Sequence, residues 1–167
     1  MDDHREHPLP LELDHWYGVT GLRYRQFLEA LTALDLISAR RHLDLFSRLL
    51  LGTLEASEWA FTEAGPDPRD DEDAELVRVD FMILRRSLQG LDDALDQLDR
   101  IAREQGRLRG AMVDLLDTFV RVDNIFARHH DRVRASLLPC LEAQLNRERS
   151  RVMAARLSAS MQRAQPN

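Results

Sequence analysis

The stretch VRVDFMILRRSLQGLDDALDQLDRIA, residues 77–102, decides the fold. Val77, Leu84, Leu91 and Leu98 recur every seven residues; Phe81, Leu88, Leu95 and Ala102 do the same, offset by four. Apolar residues spaced alternately four and three apart line one side of a helix, and a strand has no such period. Charged residues occupy the other faces, as on a helix with one buried side. The pattern predicts a long helix over 72–105. Its seam serves equally to pack inside a bundle or against a second chain.

The flanking sequence carries the same kind of signal. Residues 22–51 contain neither Gly nor Pro. Tyr24, Phe27, Leu31 and Leu34 form one helical stripe, and Leu36, Ala39, Leu43, Phe46 and Leu50 form another, out of phase with the first. A break near 34–37, with Asp35 as the cap of the second helix, reconciles them. The expected helices are 20–34 and 36–63. Gly65, Pro66 and Pro68 then open a loop, and the acidic run Asp70–Asp73 suits the positive end of the next helix. A further helix is expected over 110–145. Met112, Phe119, Phe126 and Val133 hold one of its seam positions, and Leu116, Asp123, His130 and Leu137 hold the companion. Asp123 and His130 are thus polar residues on a core row. Pro139 should interrupt this helix.

The two ends read differently. Pro8 and Pro10 disfavour helix, and Gly18-Val-Thr-Gly21 reads as a turn, so residues 1–19 are expected as an irregular arm. After Leu145 the chain turns basic, with Arg147, Arg149, Arg151, Arg156 and Arg163. A thin stripe of Leu141, Leu145, Val152 and Leu157 makes residues 146–167 a helical tail, solvated or partner-binding, that frays beyond about 160. The fold class is therefore all-α: an antiparallel four-helix bundle over 20–145 with an N-terminal arm and a C-terminal helical extension.

Composition agrees and limits function. Among 167 residues there are 28 Leu and 17 Ala against 8 Val and 4 Ile, a mixture that favours helix over strand. The net charge of −6 argues against nucleic acid as a partner. No run of apolar residues is long enough to span a membrane. A polar, acidic start and a single cysteine, Cys140, give the expectation of a cytoplasmic chain without disulfides. No phosphate loop, CxxC pair, HExxH or serine elbow is present. The imidazoles of His42, His129 and His130 are the chemistry-bearing groups that remain, because facing helices of a bundle can assemble imidazole and carboxylate around a metal.

Three segments carry a resemblance to a known family. Ala39-Arg-Arg-His-Leu-Asp-Leu-Phe-Ser-Arg-Leu-Leu-Leu-Gly-Thr-Leu-Glu-Ala-Ser-Glu-Trp59 resembles the first helix of haemerythrin-like (HHE) proteins, Leu76–Leu88 the third and His129–Glu142 the fourth. The resemblance implies a four-helix bundle and, in the family, an oxo-bridged di-iron centre that binds or senses oxygen. His42 and His129 stand at two of its histidine positions. Phe81 stands where the third helix has a His and Val133 where the fourth has a Glu; the family's second helix has no counterpart here. The expectation is a haemerythrin-like bundle that has lost most di-iron ligands and its cofactor, acting as a non-enzymatic binding or regulatory module. A second expectation is an atypical site for iron or another divalent transition metal, built from His42, Asp123, His129 and His130, with Asp80 added. A third is a dimeric adaptor that uses the 72–105 seam or the Arg-rich tail to bind a protein partner or itself.

Overall fold

The computed structural model describes residues 7–65, 71–104 and 106–165, with the side-chain surroundings of 71–74 excepted. Every regular element among them is helical. α1 spans Pro8–Thr32, α2 Leu36–Ala64, α3 Asp71–Arg103 and α4 Leu108–Arg132; a π-helical segment, Val133–Leu137, leads into α5, Leu138–Gln144, and α6 spans Arg147–Ala164. α1 packs on α2, α2 on α3, α3 on α4 and α4 back on α1, while α6 lies against α1 and α2. The result is an all-α bundle around one apolar core. No described helix is long and apolar enough to cross a membrane.

The 77–102 seam is used inside the chain. Val77, Leu84, Leu91, Leu98, Phe81, Leu88 and Leu95 are buried, and Ala102 alone of the eight is exposed. This seam is therefore not the adaptor surface that a dimer would need. The break between the first two helices falls where the phase shift put it. Leu34 takes a left-handed conformation (φ 58°), Asp35 N–H donates to Ala30 O at 2.9 Å and Leu34 N–H to Leu31 O at 2.9 Å, which closes the end of α1. The Asp35 carboxylate then accepts from Ser38 N–H at 3.0 Å and caps α2. At the far end of α2, Gly65 (φ 80°) stops the helix; the rest of the expected loop, 66–70, lies outside the described residues.

The expectations for the two ends of the chain are corrected. The arm is a helix from Pro8 onward, with Leu9, Leu13, Trp16 and Tyr17 buried. Pro8 and Pro10 fall in its first turn, where the backbone N–H groups have no intrahelical acceptor and a missing donor costs nothing. Leu9 N–H finds its acceptor across the chain, Ser150 Oγ on α6, at 3.1 Å. Gly18 to Gly21 is no turn but helix interior. Gly21 allows close approach, since a Cβ there would meet the Phe126 ring at 3.2 Å, and Thr20 donates back to Trp16 O instead of capping. Residues 1–6 lie outside the described residues.

The basic tail is also part of the core. Ser150, Met153, Ala154, Leu157 and Met161 of α6 are buried against α1 and α2, whereas Val152, assigned to the stripe, is 45% exposed. The inward row runs at helical spacing and uses methionine, alanine and serine, which a leucine-weighted reading passes over. Met161 is 1% exposed and α6 runs to Ala164. The 110–145 helix is interrupted next to Pro139, as expected. Its interruption takes the form of five π-helical residues immediately before α5, whose second residue is Pro139. Pro139 has no N–H to give and its ring would strike the carbonyl four residues earlier, and a wider turn relieves both.

Candidate functional site

One polar chain crosses the apolar interior. It begins on α2, where Ser57 continues the buried row Phe46, Leu50, Thr53 and bonds to Thr53 O at 2.9 Å. Ser57 Oγ pairs with Tyr17 Oη of α1 at 3.0 Å, and Tyr17 Oη pairs with His129 Nε2 of α4 at 2.9 Å. On the other side of the imidazole, Asp80 of α3 places Oδ2 3.5 Å from His129 Nδ1. Arg132, one turn beyond His129, closes the chain with an ion pair to Asp80. Ser57, Tyr17 and His129 are fully buried and Asp80 nearly so. The Phe81 ring meets the imidazole edge-on at 5.1 Å and the Tyr17 ring lies 5.4 Å from it.

A second pairing lies just outside. His130 stacks on Tyr17, with ring centres 5.0 Å apart, and its Nε2 bonds Asp14 Oδ1 at 2.8 Å. Arg134 Nη2 reaches Asp14 Oδ2 at 3.1 Å. The Arg134 hydrogen bond holds the Asp14 carboxyl below its ordinary value; burial opposes this and His130 adds to it. Consecutive residues of a helix point about 100° apart, so His129 and His130 address different acids.

Electrostatics fix the charge state of the inner chain. Burial pushes His129 from the ordinary 6.5 down to about 4; Asp80 pulls it up, and Arg132 and His130 push it down further. The imidazole is therefore neutral at physiological pH. Burial likewise keeps the proton on the Tyr17 phenol, whose pKa rises well above its usual range. The Asp80 carboxylate facing Nδ1 favours the tautomer with hydrogen there; Tyr17 then donates to Nε2, and the single Ser57 hydroxyl proton is shared between Tyr17 Oη and Thr53 O. Nδ1 makes no hydrogen bond of normal geometry, and the negative charge opposite is compensated by Arg132.

The four candidate ligands are not brought together. His42 is half-buried on α2, fifteen residues before Ser57 and so about 22 Å along the axis from the polar chain. Asp123 is half-buried six residues before His129, about 9 Å away along α4. Its charge acts on the Tyr24 phenol, whose pKa burial already raises. His129 and His130 bond different partners, Tyr17 and Asp14. Among the described residues, no group of three or more His, Cys, Asp or Glu side chains is placed to hold a metal ion. Each imidazole does meet an acid, but the acids are Asp80, in the interior, and Asp14, nearer the surface, in place of Asp123.

Sequence reasoning misses Tyr17 and Asp14 as partners of the histidines, Ser57 as the partner of Tyr17 and Arg132 as that of Asp80. Tyr17 and Asp14 lie in the segment expected to be an irregular arm. Ser57 has a readable signal: Thr53 and Ser57 extend an otherwise apolar helical row, and buried hydroxyls need partners. Comparison of the chain with protein-family models, with curated proteins and with solved structures gave no match.

Proposed function

We propose that this chain is a non-enzymatic binding or regulatory module, built on a haemerythrin-like frame whose metal-binding positions have been taken over by packing and by internal ion pairs. The carrying observation is Arg132 on Asp80 beside His129: a guanidinium supplies, inside the bundle, the positive charge that a metal would otherwise bring to that carboxylate. Phe81 and Val133, at the family's third-helix His and fourth-helix Glu positions, are both buried apolar residues. The retained imidazole, His129, spends Nε2 on Tyr17. An antiparallel four-helix arrangement of α1–α4 is supported by the register of α2 and α3. Arg40 reaches Asp92 at 3.5 Å and Asp99 at 3.2 Å, while Glu58, further along α2, reaches Arg85, earlier in α3, at 2.9 Å.

Elemental analysis and an absorption spectrum of protein purified from iron-supplemented cells without chelators test this reading. The expected result is far less than one metal per chain and no visible band. Two irons per chain with a charge-transfer band would overturn it.

A further inference from the structure

α2 and α6 run antiparallel where they meet. Arg149, early in α6, ion-pairs Glu63, late in α2, and Met161, late in α6, lies against Gly52, earlier in α2. Between them is a groove of about 300 Å³, lined by these two helices alone. Gly52, Ala56 and Trp59 stand at i, i+4 and i+7 on one face of α2 and form its apolar side. All three are half-buried, so part of their surface is open to a ligand. Gly52 and Ala56 carry little bulk and leave room beside the Trp59 indole, a large flat surface for a ring to pack on. The volume suits a small organic molecule.

Four polar groups line the same groove. The Glu55 carboxylate and the Trp59 indole N–H come from α2, the Arg156 guanidinium and the Ser160 hydroxyl from α6. None of the four has a hydrogen-bond or ion-pair partner among the described residues. Elsewhere on α2 the charges are spent: Arg40 on Asp92 and Asp99, Glu58 on Arg85, Glu63 on Arg149. Arg156 and Ser160 are neighbours one turn apart on α6 and offer donors to a carboxylate. Glu55, on the facing helix, offers acceptors to an ammonium. A lone anion entering the groove also meets Glu55, and a lone cation also meets Arg156. A molecule that carries both charges satisfies both walls.

We propose that the α2–α6 groove binds a small zwitterion with an aromatic ring, the class of the free aromatic amino acids. The ring packs on Trp59 beside Gly52 and Ala56, the carboxylate sits at Arg156 and Ser160, and the ammonium sits at Glu55. This rests on the reading of the chain as a binding module and names what is bound. Metal content, measured separately, decides that reading independently of this one.

Titration of the full chain with L-phenylalanine, followed by NMR of the tryptophan indole N–H signals, tests the proposal. Phenylpropanoate, which lacks the ammonium, and phenethylamine, which lacks the carboxylate, are the matched probes. A saturable shift of the Trp59 signal is expected; the Trp16 indole, bonded to Glu12, should stay in place. Because the rim charges are exposed, each missing ligand charge should weaken binding by about two- to fivefold. Glu55→Gln should erase the preference over phenylpropanoate and keep that over phenethylamine, and Arg156→Gln should do the reverse. No saturable shift at Trp59, a shift at Trp16 as large as at Trp59, equal affinity for the three probes, or preferences unchanged in either variant would each overturn it.

Discussion

Tyr17 ties three helices together through one hydroxyl. It links α1 to α2, through Ser57, and to α4, through His129. Tyr17→Phe keeps the ring contacts and removes that link, leaving the imidazole without its one hydrogen bond. Urea unfolding at pH 7 should show a loss of about 1–3 kcal/mol. The same chain makes stability depend on pH. The unfolded chain protonates His129 below 6.5, the folded chain only near 4. Between those values the unfolded state holds the extra proton, so stability is complete above 6.5 and declines as pH falls toward 4, by up to about 3 kcal/mol. Asp14, held below its ordinary value, adds a further loss at lower pH, as its carboxylate is protonated. A stability unchanged between pH 7 and 4.5 would contradict the buried, neutral imidazole.

At the scale of elements, the glycines separate packing from propensity. Gly18 and Gly90 are helical and have open space where a Cβ would go. Gly18→Ala and Gly90→Ala should each stabilise the fold by about 0.5–1 kcal/mol. At Gly52 a Cβ would come within 2.8 Å of Met161 Sδ on α6. Gly52→Ala should therefore give no gain, and should lower the thermal midpoint if Met161 cannot move aside. Much of this layer is legible in the sequence. The heptads of α3, the phase shift at 34–37 and the Asp35 cap are local signals, and local signals suffice for a helix that buries leucines. The start of α1 and the inward face of α6 are not local. Pro8 and Pro10 suit a loop and a first helical turn equally well, and the choice rests on distant contacts: Ser150, 141 residues away, supplies the missing acceptor to Leu9. The candidate site is half legible for the same reason. Polar residues on a core row announce a wet interior, but which acid meets which imidazole depends on how four helices register.

The whole molecule closes through its C-terminal helix. α6 covers the α1–α2 surface, bonds Leu9 through Ser150 and ion-pairs Glu63 through Arg149. Burial of Met153, Leu157 and Met161 is worth roughly 1.5–3 kcal/mol for each side chain, a large part of the stability of an ordinary domain. A chain ending at Leu145 should unfold, or melt at least about 10 °C lower by calorimetry. An unchanged melting temperature would return α6 to the status of a solvated tail. The proposed function rests on the interior being closed by the protein's own groups, with His129 bound to Tyr17 and faced by Asp80 and Arg132. Side-chain NMR of His129, followed through an acid titration and then with added Fe(II) or Zn(II) at pH 7, tests this most directly. The expected result is a neutral imidazole that titrates near 4 and whose signals do not move with metal. A midpoint near 6.5, or resonances displaced by stoichiometric metal, would contradict it.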